Sequence, residues 1–315
     1  MTALELLAAL IIDGLFGEPR ICHPLVGFGA IVRHIETWLN REAAGPVSGH
    51  LHVALNYLLG CFAVLLATIP FVVLLDIGMH ITSLAPLFAT ATLYAVIGHR
   101  SLHEHAIAVE LEIHHRNLPA ARQRVGMLVS RNTEFMDVTH VCTATVESIL
   151  ENGNDALFGA LFWFLVAGAP GALAYRLLNT LDAMWGYRTD RYRHFGWAAA
   201  RLDDVANLIP ARLTALSYAI VGQTTAALRC WWNQAHQWDS PNAGPVIASG
   251  AGALGVLLGG GAYYHGQWRE RPALGEGRAI ETSDIERARQ LLLRALLLWV
   301  GSAMVIYGFI RWLHA

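Results

Sequence analysis

There is no lysine in this chain: all 22 residues counted as Lys or Arg are arginine. A Walker A loop needs its lysine, so a P-loop ATPase is excluded, and the same absence removes Schiff-base chemistry of the pyridoxal-phosphate kind. Any phosphate here must be held by arginine, backbone N–H groups or a metal ion. Charge is scarce altogether, with charged residues at 15% and a net charge of −2. That leaves no basic footprint for nucleic acid. The cysteines Cys22, Cys61, Cys142 and Cys230 are far apart and form no C-x-x-C pair. Neither a zinc knuckle nor a disulfide framework is indicated. No His-Glu-x-x-His occurs either, which argues against a membrane metalloprotease.

What is present is apolar. The 315 residues are 55% hydrophobic, with a mean hydropathy of +0.40, the composition of an integral membrane protein. The expected fold is all-α and polytopic, with about four to six membrane segments. It is expected to form a single integral membrane domain over residues 1–315. The first twelve residues carry Glu5 and no basic stretch, and read as an uncleaved membrane segment. Spans are expected at 51–75, 77–98 and 291–313, with Asp76 and Gly78 at the tip between the first two. Residues 99–140 read as amphipathic helix outside the membrane, with Ala106, Val109 and Ile113 at helical spacing and a break near Asn117 and Pro119. Residues 157–178 are apolar but interrupted by Ala167-Gly168-Ala169-Pro170-Gly171, which predicts a re-entrant helical hairpin. The motif regions 13–50, 99–156 and 179–207 are rich in arginine and would share the cytoplasmic side. Residues 208–228 and 243–265 read as short spans or cavity-lining pieces. No internal repeat of the inverted transporter kind is visible.

Four polar clusters stand out against this background. The first is Asp13-x-x-x-Gly17-Glu18-Pro19-Arg20-x-x-His23-Pro24, which also reads as a turn between helices. The second places Glu147, Glu151 and Asp155 on one helical stripe, with Asn152 beside them. Like charges at that spacing repel, so a cation or an arginine must relieve them, or the stripe faces water. The third is Asn179-Thr180-Leu181-Asp182 followed by Gly186-Tyr187-Arg188-x-x-Arg191-Tyr192, an Arg/Tyr loop suited to an anion, a large planar ligand or lipid headgroups. The fourth is Arg201-Leu202-Asp203-Asp204-Val205-Ala206-Asn207, with Pro210-Ala211-Arg212 after it. Asp203 and Asn207 share a helical face that could hold a divalent cation, or simply mark a helix end. The fifteen histidines, His99 and His103 among them, read as solvated or interfacial rather than metal-bound.

These motifs, in this order, resemble the CobD/CbiB family. The resemblance is carried by Gly17-Glu18-Pro19-Arg20 with His23-Pro24-Leu25-Val26-Gly27, by Val146-Glu147-Ser148 with Glu151-Asn152, and by Gly168-Ala169-Pro170-Gly171 with Asn179-Thr180-Leu181-Asp182. It continues through Tyr192-x-x-Phe195-Gly196, Ala200-Arg201-Leu202-Asp203-Asp204 and Ser240-Pro241-Asn242-Ala243-Gly244. Departures are Arg131-Asn132-Thr133 where the family usually has Arg-Asp-Thr, Gly153-Asn154-Asp155-Ala156 for Thr-x-Asp-Gly after Asn152, and Pro245 directly after Gly244.

The resemblance implies adenosylcobinamide-phosphate synthase of cobalamin biosynthesis, a ligase of the bacterial inner membrane with a cytoplasmic active site. Its reaction would join adenosylcobyric acid to aminopropanol or aminopropanol phosphate, with ATP and Mg²⁺, the corrinoid being substrate. Other membrane enzymes of late cobalamin assembly are implied as partners. Carried onto this chain, Glu147, Asp182, Asp203 and Asp204 would be catalytic, and Glu147, Asp155, Asp203 and Asp204 would hold metal. Ligand contacts would come from Glu18, Arg20, His23, Asn152, Asn179, Arg188, Arg191, Tyr192, Arg201, Asn207, Arg212 and Asn242. The rival reading is a non-catalytic membrane sensor or transporter built on the same scaffold.

Overall fold

The computed structural model describes residues 3–18, 23–44, 49–81, 83–264 and 267–313. Helices dominate. In chain order they are α1 (Ala3–Phe16), α2 (Pro24–Leu39), α3 (His50–Ile81), α4 (Ala85–Val96), α5 (His99–His114), α6 (Leu118–Val125) and α7 (Val138–Gly153). A π-helical turn (Asn154–Phe158) joins α7 to α8 (Gly159–Trp185). There follow α9 (Trp197–Ala206), α10 (Leu208–Val221), α11 (Thr224–Gln234), α12 (Ala243–Leu254) and α13 (Ser283–Leu313). Between α12 and α13 the chain is not helical. Strands β1 (Leu257–Gly259) and β4 (Ala273–Gly275) pair antiparallel, and β2 (Ala262–Tyr264) pairs antiparallel with β3 (Gln267–Arg269). The architecture is otherwise helical, as the all-α expectation has it, and these short strand pairs are a local addition.

Three helical stretches are long and apolar enough to cross a membrane: His50–Ile81, Val138–Trp185 and Ser283–Leu313. The first and last contain the expected spans at 51–75 and 291–313. The expected return span at 77–98 is not a separate long helix: α3 continues to Ile81, and α4 has only 12 residues. Asp76 and Gly78 therefore lie inside α3, and the turn falls at Ser83 and Leu84, where Pro86 enters the first turn of α4. Within 99–140, α5 buries Leu102, Ala106 and Val109 on one face, while Ile113 is half-buried. Asn117 caps α6 by accepting from the Ala120 N–H, with Pro119 in the first turn.

The chain forms two compact units, each made of two segments: residues 1–98 with 159–207, and residues 99–158 with 208–315. In the first, Phe28, Val32 and Ile35 of α2 pack with Ala63, Val64 and Ala67 of α3, Leu177, Leu181 and Trp185 of α8, and Ala198 and Ala199 of α9. Within α8 the backbone leaves helical geometry at Gly168 (φ 71°, ψ −163°), a region essentially closed to residues with a Cβ. Residues on either side of the break meet. A Cβ on Gly171 would lie 2.7 Å from the Trp163 carbonyl, and one on Gly159 would strike the Tyr175 hydroxyl. In an unbroken helix Gly159 and Tyr175 would stand about 24 Å apart. In the second unit α12 is buried along its whole length among α7, α10, α11 and α13.

Candidate active site

In the first unit, the part of α8 after the break runs beside α9 and brings the third and fourth polar clusters together. Asp203 is buried, 9% exposed. Its carboxylate accepts from Asn179 Nδ2 at 3.3 Å and from Asn207 Nδ2 at 3.1 Å. The amides are themselves held. The Tyr175 hydroxyl donates to Asn207 Oδ1 at 2.8 Å, and Arg176 donates to Asn179 Oδ1 at 3.0 Å. Those bonds orient both carboxamide NH₂ groups toward Asp203. Asp204 pairs with Arg201 at 2.9 Å. Asp182, one helical turn beyond Asn179, lies within electrostatic reach of Asp203 and Asp204. Burial pushes the Asp203 carboxyl up to about 6, against the two amide hydrogen bonds that pull it down. Three carboxylates so placed are an arrangement that a cation relieves. Among the described residues no group of three or more His, Cys, Asp and Glu stands close enough to hold a metal by itself.

Beside this cluster opens a cleft of about 680 Å³. Its lining includes Tyr57, Gly186, Tyr187, Arg188, Arg193 and Trp197, with Arg201 shared with the acidic cluster and Asp190 the one acid among the described lining residues. The loop that builds it, residues 186–196, is pinned from behind. Arg191 donates to Glu36 through Nε at 2.8 Å and Nη2 at 2.6 Å, and Asn40 Nδ2 donates to the Arg191 carbonyl at 2.9 Å. Glu42 accepts from the backbone N–H of His194 and Phe195 and from the His194 ring. Both acids are 4% exposed. Arg191, expected as a ligand contact, is thereby engaged in holding the loop, and its guanidinium lies 5.4 Å from the Tyr192 ring centroid.

The second unit holds the other sequence candidates. Glu147 answers the repulsion of its stripe with arginine. Its carboxylate accepts from Arg131 at 2.6 Å, from Arg271 at 3.1–3.2 Å and from the Gly259 N–H at 2.8 Å. Arg271 in turn lies 4.9 Å from the Trp238 ring centroid. Asn152 donates to Ser148 Oγ at 2.8 Å. Asp155 accepts from Asn154 in the π-helical turn, and Asn154 accepts from the Thr214 hydroxyl. Arg212 and Asn242 bond each other at 2.6 Å, and Arg212 also donates to the Pro241 carbonyl. In the N-terminal motif, His23 caps α2 by accepting from the Leu25 N–H. Glu18 is half-buried. Arg20 lies outside the described residues.

Glu36, Asn40, Glu42, Arg193 and Arg271 were not among the sequence candidates. Glu36 carried a signal: it falls on the face of α2 that buries Phe28, Val32 and Ile35. An acid on an apolar helix face asks for a cationic partner. Arg271 carried none, because its partner is 124 residues away.

The fold and site define a helical membrane protein with a buried carboxylate–carboxamide cluster beside an arginine-lined cleft. The chain belongs to the CobD/CbiB family, whose model, described as CobD/Cbib protein, matches residues 6–292. The cobalamin biosynthesis protein CobD of Chromobacterium violaceum is 50% identical over 314 residues, covering 100% of this chain and 99% of the relative. That of Stutzerimonas stutzeri is 47% identical, covering 99% of each. That of Mycobacterium tuberculosis is 37% identical, covering 91% of this chain and 90% of its own. No solved structure matches the chain.

Proposed function

We propose that this protein is an ATP-dependent amide ligase of cobalamin biosynthesis. It joins adenosylcobyric acid to aminopropanol or aminopropanol phosphate, giving adenosylcobinamide or its phosphate. The observation that carries the reading is the juxtaposition of Asp182, Asp203 and Asp204 with the arginine-lined cleft. A carboxylate does not condense with an amine unaided. In the proposed reaction a carboxylate oxygen of the corrinoid attacks the γ-phosphorus of ATP, ADP leaves, and an acyl phosphate forms. The amine nitrogen then attacks the acyl carbon, inorganic phosphate leaves, and a carboxylate of the cluster accepts the amine's proton. Mg²⁺ supplies charge neutralisation at the phosphate oxygens. Asp203 and Asp204 are the residues to hold it, since Mg²⁺ is usually bound by one or two carboxylates plus substrate phosphates and water. Arg188, Arg193 and Arg201 are the cations available for phosphate oxygens in a chain without lysine.

The same reading places the protein in the bacterial inner membrane, with the cleft on the cytoplasmic side and Gly168 at the turn of a re-entrant segment. A single cysteine at Thr189, in a cysteine-free background, would then react with an impermeant thiol reagent only from the cytoplasmic face. Other membrane enzymes of late cobalamin assembly are its natural neighbours. The deciding test is turnover: detergent-purified protein, adenosylcobyric acid, aminopropanol phosphate, ATP and Mg²⁺. One ADP should form per amide bond. Ligand binding without product would replace the ligase with a sensor or transporter.

A further inference from the structure

We infer that the cleft between Tyr57, the 186–196 loop and α9 is the nucleotide site. The base would lie against the Tyr57 and Trp197 rings, and the triphosphate on Arg188 and Arg193. This rests on the ligase reading and locates one of its substrates. Four observations converge. First, the cleft has an aromatic wall: Tyr57 and Trp197 meet edge to face with centroids 5.6 Å apart, and Trp197 is 47% exposed. Exposed aromatic faces of this kind take a planar heterocycle. Second, Arg188 and Arg193 are exposed in the lining, and among the described residues neither makes a hydrogen bond or an ion pair. Their guanidiniums are available for bidentate contact with phosphate oxygens. Third, the loop that carries them is fixed in advance by Glu36 and Glu42. Binding therefore spends little on ordering it. Fourth, Arg201 joins the cleft to Asp204. A polyphosphate on Arg188 and Arg193 would thus end beside the carboxylates that a magnesium ion needs.

Size favours a nucleotide. The volume of about 680 Å³ lies in the usual range for a small-molecule pocket. An amino-alcohol phosphate would leave most of it, and the whole aromatic wall, unused. A phospholipid headgroup would satisfy the arginines but not the rings. Asp190 in the lining opposes any anion, so recognition depends on the fixed positions of the arginines more than on net charge.

The test is equilibrium binding of a fluorescent ATP analogue to the full-length detergent-purified protein with Mg²⁺, displaced by ATP, AMP or aminopropanol phosphate. ATP should displace it better than AMP, and aminopropanol phosphate poorly. Arg188→Ala and Arg193→Ala should each weaken ATP binding by about tenfold, the loss of a charged hydrogen bond. Trp197→Ala should weaken AMP and ATP alike. Because Arg188 and Arg193 have no partner to lose among the described residues, their variants should melt with the wild type, so weaker binding cannot be assigned to unfolding. The inference is overturned if both arginine variants bind Mg-ATP like wild type, if aminopropanol phosphate competes as well as ATP, or if anionic lipid micelles displace the probe as well as ATP does. Its failure is separable from that of the ligase reading. Turnover with an unchanged ATP KM in these variants would leave the ligase standing and move the nucleotide elsewhere. Tight nucleotide binding without product would do the reverse.

Discussion

Asp203 is acceptor to two carboxamide NH₂ groups whose own oxygens are already taken. Only an acceptor fits at that position. Asp203→Asn would set an NH₂ against an NH₂, and we expect a loss of about 1–3 kcal/mol of stability together with loss of ligation. A thermal melt in detergent beside the product assay reads both. Asp204→Asn is the contrasting variant. Its half-exposed pair with Arg201 is worth less than about 1 kcal/mol, so its melt should stay near wild type while turnover at limiting Mg²⁺ falls at least about tenfold. Wild-type turnover in Asp204→Asn at limiting Mg²⁺ would remove the metal role. Proton linkage adds a third signature. Asp203 titrates near 6 in the folded protein against an ordinary 3.8, so the folded state binds the proton more tightly. Stability from this group is full below the ordinary value and is lost as pH rises through 6. In the proposed metal-binding role Asp203 must be ionised, so activity should run the other way, with an acid limb near pH 6 in kcat.

At the scale of elements, the sequence was legible wherever the signal was local. Asn117 and Pro119 marked the start of α6, and the run of small residues and Pro170 marked the break in α8. The end of α3 was misplaced because Asp76 and Gly78 looked like a tip. The apolar run around them keeps the helix going, and His80 donates back to the Asp76 carbonyl within it. The strands after α12 were invisible: three-residue strands broken by Gly259, Gly260 and Gly261 leave no period to read. Two predictions belong here. Gly168→Ala forces a Cβ into a conformation reserved for glycine and should cost about 1–3 kcal/mol, visible as a melting point several degrees lower. Glu42→Ala leaves the His194 and Phe195 N–H groups without their acceptor. Limited proteolysis should then cut within 186–196 faster than in wild type, and an unchanged cleavage rate would show that Glu42 does not hold the loop.

Across the whole molecule, the arginine content and the apolar helices were readable from composition, and so was the membrane class. The pairings that build the site were not. Glu36 meets Arg191 across 155 residues, and the chain passes three times between its two units. No periodicity carries such information; only the order of the motifs did, through their resemblance to a family. The three long apolar helices predict that the protein stays in the membrane fraction after high-salt and carbonate washes. Release by either would overturn the architecture.

The missing lysine has a chemical consequence beyond phosphate recognition. An acyl phosphate is an electrophile that any neutral primary amine can capture, and a lysine near it would be acylated in place of the substrate. Here no side chain offers such an amine. Guanidiniums stay protonated at every working pH and are poor nucleophiles. If the proposed ligase reaction holds, a catalyst built this way would bind anions without competing for its own activated intermediate. In the proposed ligase reaction the incoming amino alcohol would then meet no side-chain amine competing for the acyl group. Modification should show the asymmetry: an arginine-selective dicarbonyl should inactivate the protein, with ATP protecting it, while an amine-selective acylating reagent should leave turnover intact.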